Sequence, residues 1–267
     1  MIKLVASDLD GTLLNGKLTI PDDFFDVLHR MKNKGISMVA ASGRDFNGAT
    51  QFFGDRANEL IFICDNGANI YNNGVLIETH NLSREKIHNV LKVLDNIDGA
   101  DPMLCGAHGT YIAKKGSPAF INKMSNHYSP VVWVDNLYDI DDDIFKVSVY
   151  DVTGDIRNHT FNPLADMLNG SATIHISSEV WVDIMDKSAD KGIALKQVQQ
   201  QLGVGYDETM AFGDFYNDEP LLKRAKYAFV MENGKEDLKK KYPYHAKSNN
   251  DSGVTKAIRE WIFNEKE

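Results

Sequence analysis

The chain is 267 residues long, 43% apolar and 25% charged, enough to bury a sizeable core in one large domain or two small ones. Its formal net charge of −9 excludes a general nucleic-acid surface, which needs a basic stripe, but leaves room for an anionic substrate held by a metal and a few aimed cations. No stretch approaches the about 18 apolar residues of a membrane span, no basic-then-apolar leader precedes the first strand, and Cys64 and Cys105 show neither metal nor disulfide spacing, so a cytoplasmic protein with reduced thiols is expected.

Ile2 to Ala6 is a short, β-leaning apolar run that ends at Asp8, inside the stretch "VASDLDGTLL". The segment "PDDFFDVLHRMKNKG" shows helical spacing at Phe24, Val27, Leu28 and Met31 and stops at a glycine. "ISMVAASGR" predicts a second buried strand and "LIFICDNGANIY" a third. Strand, helix and strand at this spacing predict a parallel α/β sheet with right-handed crossovers. Ligands collect at the carboxyl ends of strands in such sheets, and Asp8, Ser42 and Asp65 all stand at or just past such ends.

The texture changes after about Leu82. "SREKIHNVLKVLDNI" reads as a helix with Ile87, Val90, Leu91 and Leu94 on one face and Ser83 as N-cap. Short strand-like pieces follow: "MLCGAHGTYIA", "VVWV", "IFKVSVYDV", "ATIHIS" and "WVDIMD", with helical stretches near "FINKMSNHY" and "FNPLADMLNG". These predict an α+β insert built on an antiparallel sheet. The first texture returns near residue 188 with the helix "KGIALKQVQQQLG", whose Ile193, Leu195, Val198 and Leu202 lie broadly on one side. The strand "ETMAFGD", the short helix "EPLLKRA", the strand "YAFVM" and the helix "SGVTKAIREWIF" complete it. A discontinuous α/β domain of residues 1–82 and 187–267 is expected, with a second domain of residues 83–186 inserted in it.

Asp8 and Asp10 are i and i+2, so they point to the same side of a strand, where two carboxylates repel. A hard divalent cation such as Mg²⁺, which takes oxygen ligands, removes the repulsion. Gly11 lets the chain turn away, and Thr12 can hydrogen-bond locally. An Asp-Gly turn with a spare acid accounts for the same four residues taken alone. "ASGR" places Ser42 at a strand end and a helix start, a seat for phosphate or a simple cap. "ADKGIAL" places Lys191 at a helix N-terminus, where a cation is mildly unfavourable and an anionic ligand would justify it. "AFGDFYNDEPLL" ends a strand at Asp214 and adds Asn217 and Asp218. Together the four pieces supply what metal-assisted phosphoryl transfer to a carboxylate needs.

In this order, "DLDGTLL", "ASGR", "DKG" and "GDFYND" resemble the four signature motifs of the haloacid dehalogenase (HAD) superfamily. The insert between the second and third motifs resembles the C2B cap of the Cof-type phosphatases of subclass IIB. The stretch from "LCGAHGTYIA" to "DIFKVSVY" is similar to the bacterial sugar phosphatases of that group. The resemblance spans nearly the whole chain. It implies a Rossmann-like, doubly wound parallel sheet with an α+β cap, and a Mg²⁺-dependent phosphatase of small phosphorylated metabolites, sugar phosphates foremost. By it, Asp8 is the nucleophile that forms an aspartyl-phosphate, and Asp10 is the general acid and then the base. The Asp8 side chain, the Asp10 carbonyl and Asp214 hold Mg²⁺. Leu9, Ser42, Gly43, Lys191 and Asn217 hold phosphate or substrate, and Asp218 orients Lys191 or the metal's water shell. A phosphomutase of the same superfamily and a non-catalytic phospho-receiver or sensing module remain as alternatives. The fourth motif departs from the pattern at Phe215, where a glycine or small residue is usual, which puts the local loop conformation in question.

The eight histidines form no H-x-H or H-E-x-x-H pattern, which argues against zinc. His108, in the glycine-flanked turn "CGAHGTY", is open to two readings, an exposed turn residue or a reader of substrate. The acidic "DIDDDIF" and the basic "KKKYPYHAK" read as solvated segments.

Overall fold

The computed structural model of the chain describes residues 1–125 and 131–265. The last part of the predicted helix "FINKMSNHY", residues 126–128, lies outside them. By internal contacts the chain divides into two compact units, Met1–Ile77 with Lys191–Glu267, and Glu78–Asp190.

In the first unit, β1 (Leu4–Asp8), β2 (Ser37–Ala41) and β3 (Ile61–Cys64) are buried along nearly their whole length, as strands covered on both faces must be. Between β1 and β2, α1 (Phe24–Asn33) buries Phe24, Val27, Leu28 and Met31, a single stripe at helical spacing. After β2, α2 (Phe46–Thr50) starts on Asp45, whose carboxylate accepts the Gly48 amide at 2.7 Å. The stretch expected as one third strand is in fact two. β3 and β4 (Asn69–Asn72) run antiparallel, joined by a turn at Asp65–Gly67 in which Asp65 and Asn66 have φ of 51° and 55°. Asp and Asn are the side chains that tolerate this left-handed backbone, so the sequence Asp-Asn-Gly reverses the chain between its apolar flanks. β5 (Val75–Thr79) forms the sheet edge beside β4.

The second unit begins with α3 (Arg84–Leu94), capped by Ser83, whose Oγ accepts the Lys86 amide at 3.3 Å. Next come the hairpin β6 (Ala100–Gly106) and β7 (Gly109–Ala113), then α4 (Pro118–Ser125), β8 (Val131–Val134) and β9 (Ile144–Asp151). Helix α5 (Asn162–Leu168) precedes the hairpin β10 (Ala172–Ser178) and β11 (Trp181–Asp186). The strand order is β10-β11-β9-β6-β7-β8. The pairs are antiparallel as expected except β7 and β8, which run parallel because α4 lies in their connection and carries the chain back. The segment "DIDDDIF" is not wholly solvated: the Asp142 side chain is 1% exposed. Its carboxylate accepts from the His108 Nδ1 at 2.7 Å, the His108 amide at 3.0 Å and the Tyr111 hydroxyl at 2.9 Å, while His108 itself stays exposed.

The chain returns to the first unit through α6 (Lys191–Leu202), β12 (Thr209–Gly213), α7 (Glu219–Leu222), β13 (Tyr227–Met231), α8 (Glu236–Lys241), β14 (Tyr244–Ala246) and α9 (Gly253–Phe263). The sheet order is β14-β13-β12-β1-β2-β3-β4-β5, parallel from β14 through β3. Alternate strand residues feed two cores. Val5, Met38, Phe62 and Phe212 pack with α1 and α9, whereas Leu4, Ala6, Val39 and Ala211 pack with α6, α7 and α8. This is a doubly wound α/β layer. Helix α6 differs from expectation: it buries Lys191, Gly192, Ala194, Leu195, Val198 and Gln199, while Leu202 is exposed.

Candidate active site

The parallel order β12-β1-β2-β3 brings four carboxyl ends side by side, and each is followed by a polar residue: Asp214, Asp8 as the last residue of β1, Ser42 and Asp65. Asp8 is 5% exposed and Lys191, the first residue of α6, 1% exposed. The Lys191 ammonium donates to Asp8 Oδ1 and to Asp218 Oδ1, both at 2.6 Å. A lysine at a helix start, against the helix dipole, is thus explained by two carboxylates across from it.

Asp218 Oδ2 accepts the amides of Asp214 at 3.0 Å and Phe215 at 3.1 Å, which fixes the loop after β12. Phe215 has φ −121° and ψ 175°, an extended backbone open to any residue, so the loop has no need of glycine there. Its ring meets Tyr216 edge-on, with the Lys235 ammonium over its face at 4.6 Å.

Gly11 has φ of +83°, and a Cβ there would stand 2.5 Å from Asp214 Oδ2. Only glycine lets the turn after β1 approach that carboxylate so closely. Thr12, expected to bond locally, instead donates its hydroxyl to Asp214 Oδ1 at 3.0 Å, across 202 residues of sequence. The Asn233 side chain donates to the Gly11 carbonyl at 2.7 Å and braces the same turn. The Leu9 side chain is fully buried in the core, so only its main chain is available to a ligand.

Ser42 is buried, its Oγ accepting the Arg44 amide at 3.1 Å and its carbonyl accepting the Asn66 amide at 2.9 Å. A Cβ on Gly43 would stand 3.2 Å from the Asn66 amide nitrogen Nδ2. Asn217 donates to Asn66 Oδ1 at 2.9 Å. Asp10 stands apart from the buried group. Arg44 grips it as a fork, Nε to Oδ2 and Nη2 to Oδ1, both at 2.7 Å.

The structure therefore gathers Asp8, Lys191, Asp214 and Asp218 in direct contact or close approach, sets Ser42, Gly43 and Asn217 around Asn66, and ties Asp10 to Arg44. Sequence reasoning missed Arg44, Asn66 and Asn233 as members of this region. Arg44 stood in the quoted "ASGR" and Asn66 in the Asx-Gly turn "DNG", a turn signal that was available.

Asp8, Asp214 and Asp218 each offer a carboxylate oxygen within 4.8 Å of the others. Burial pushes the Asp8 carboxyl well above its usual value, and the neighbouring acids add to the rise against the pull of Lys191. Burial, then Asp218, raises Asp214 to about 7 against the Thr12 hydrogen bond and Lys191. Lys191 is held above its usual value because Asp218 and Asp8 outweigh its burial. Four carboxylates against two cations leave a local excess of negative charge, and an all-oxygen donor set of that kind suits a hard divalent cation.

A family model of haloacid dehalogenase-like hydrolases matches residues 5–258. A Streptococcus pyogenes serotype M6 protein is 31% identical over 273 residues, spanning 98% of this chain and 99% of its own. The Escherichia coli 5-amino-6-(5-phospho-D-ribitylamino)uracil phosphatase YbjI is 28% identical over 261 residues, 96% of this chain and 95% of that one. The solved structure of SMU.1108c from Streptococcus mutans UA159 superimposes with a TM-score of 0.92 at 28% identity, covering 98% of this chain and 100% of the other. With a family match over nearly its whole length, the chain belongs to the haloacid dehalogenase-like hydrolases, and within them to the phosphatases.

Proposed function

We propose that the chain is a Mg²⁺-dependent phosphatase that hydrolyses small metabolites phosphorylated on a sugar-type hydroxyl, through an aspartyl-phosphate on Asp8. The observation that carries the reading is the buried contact of Asp8 with Lys191 beside Asp214 and Asp218. The YbjI relative, by its name, acts on a phosphate carried by a ribityl chain, which supports this substrate class.

In the first half-reaction an Asp8 carboxylate oxygen attacks phosphorus. The bond from phosphorus to the leaving oxygen breaks, and a proton from Asp10 passes to that oxygen, releasing the alcohol. In the second, Asp10 takes a proton from water as its oxygen attacks phosphorus. The phosphorus–Asp8 bond breaks, and phosphate leaves. Lys191 offsets the repulsion between carboxylate and phosphate and holds the reacting oxygens in line. Ser42, the backbone at Leu9 and Gly43, and Asn217 bind the remaining phosphoryl oxygens. Asp8, the Asp10 carbonyl and Asp214 would hold Mg²⁺, which supplies charge neutralisation at the phosphoryl group. Asp218, both of whose oxygens are engaged, positions Lys191 and the Asp214 loop. The domain of residues 83–186 is assigned the choice of leaving group. No helix among the described residues is long and apolar enough to cross a membrane, and both cysteines are buried.

The test is phosphate release from a panel of sugar and ribityl phosphates, with Mg²⁺ and with EDTA, alongside Asp8→Asn protein. Release that requires Mg²⁺ and vanishes in the variant is expected. Release unaffected by EDTA, or transfer to a second sugar in place of water, overturns the reading.

A further inference from the structure

The proposed acid and base, Asp10, stands past the end of β1 with its side chain 45% exposed, and its carboxylate makes none of the contacts that bind Asp8 and Asp214 to their neighbours. A short side chain so exposed rotates between wells unless something holds it. Arg44 supplies that hold. The fork uses both carboxylate oxygens at 2.7 Å, so it fixes the plane of the carboxylate as well as its place.

The arginine is itself set by the loop it stands on. Its amide donates to Ser42 Oγ at 3.1 Å, and its carbonyl accepts the Asp65 amide at 2.8 Å. Its guanidinium lies over the Phe52 ring, 5.1 Å from the centroid, and its side chain is 14% exposed. It is a braced arm that runs from the Ser42 turn to Asp10. Two loops that follow different strands, β1 and β2, thereby set one geometry.

We propose that Arg44 is the positioning residue of Asp10, holding its carboxylate where it exchanges a proton with the leaving oxygen and with water. The inference rests on the acid and base role given to Asp10 above. A lysine cannot replace the arm, because an ammonium is a point charge and leaves the carboxylate plane unset.

The test compares kcat/KM, which reports the first phosphoryl transfer, for two probes. Ribose 5-phosphate, or the panel's best sugar phosphate, has an alkoxide leaving group that needs a proton; p-nitrophenyl phosphate has one that does not. Arg44→Ala is expected to cost the sugar phosphate about 10²-fold, the usual worth of a general acid, and to cost p-nitrophenyl phosphate at least tenfold less. Arg44→Lys should recover little of the difference. In Asp10→Asn protein, where no acid remains to be placed, Arg44→Ala should add no further selective loss. Equal losses on both probes, as a phosphate ligand or a folding defect would give, overturn the proposal, as does an Arg44→Lys enzyme equal to wild type. Failure of the wild type to hydrolyse either probe with Mg²⁺ overturns the phosphatase mechanism itself, which separates the two readings.

Discussion

Replacing Lys191 with methionine removes the ammonium shared by Asp8 and Asp218 while keeping most of the side-chain volume. Breaking a buried pair by deleting one partner costs about 3–5 kcal/mol, because the other charge is left uncompensated. The size of the loss should depend on pH. Burial raises the carboxyls of Asp8 and Asp214, and Lys191 opposes the rise at both. A group whose folded pKa is raised stabilises the fold at pH below its unfolded value and loses that contribution as pH climbs through the folded one. For Asp214 the window runs from 3.8 to about 7. A rise of that span corresponds to on the order of 4 kcal/mol withdrawn from the metal-free fold by pH 8. Without Lys191 both carboxyls are pushed higher still, and the withdrawal deepens at alkaline pH. The gap between wild type and Lys191→Met should therefore be smaller near pH 5, where Asp214 carries its proton, and approach about 3–5 kcal/mol at pH 8. Urea denaturation in EDTA at pH 5, 6.5 and 8 measures it. A gap independent of pH, or below about 1 kcal/mol at pH 8, would refute the argument that Lys191 neutralises this cluster.

Mg²⁺ should raise the thermal midpoint of the wild type more at pH 8 than at pH 5.5, because protons on Asp8 and Asp214 compete with the cation below the raised value of about 7 at Asp214; equal shifts by scanning fluorimetry at the two pH values would remove the cation from these carboxylates. Gly11→Ala should destabilise the protein by about 1–3 kcal/mol and abolish Mg²⁺-dependent phosphate release, since the backbone is left-handed there and the new Cβ would press on Asp214 Oδ2. Retention of both stability and turnover in that variant would show that the close approach is dispensable.

What the sequence discloses depends on how far away a residue's partner lies. Helices α1 and α3 are legible because their buried positions are apolar and recur at helical spacing. Helix α6 is misread by the same rule, since its buried stripe includes Lys191, Gly192 and Gln199, and apolarity no longer marks the inward face. The turn at Asp65–Gly67 hides between apolar flanks, and β14 is three residues behind a lysine run. "DIDDDIF" has the composition of a solvated turn, yet Asp142 finds partners 31 and 34 positions earlier, at Tyr111 and His108. Arg44 and Thr12 lie within the quoted motifs, but their partners lie 34 and 202 positions away, beyond any local pattern.

Asp218 shows why three carboxylates can share so small a space without being equivalent. One of its oxygens takes the Lys191 ammonium, and the other takes two successive amides of the loop that bears Asp214. Both oxygens are thus occupied by donors of this chain. A Cβ on Gly213 would stand 2.5 Å from the Asp218 Cβ, so glycine at the end of β12 is what admits Asp218 to this position. Asp8 keeps company with Lys191 through one oxygen, and Asp214 with Thr12 through one. The proposed cation therefore belongs with Asp8 and Asp214. In this division Asp218 acts on the chemistry through Lys191 and the Asp214 loop, because its side chain couples the start of α6 to the loop after β12.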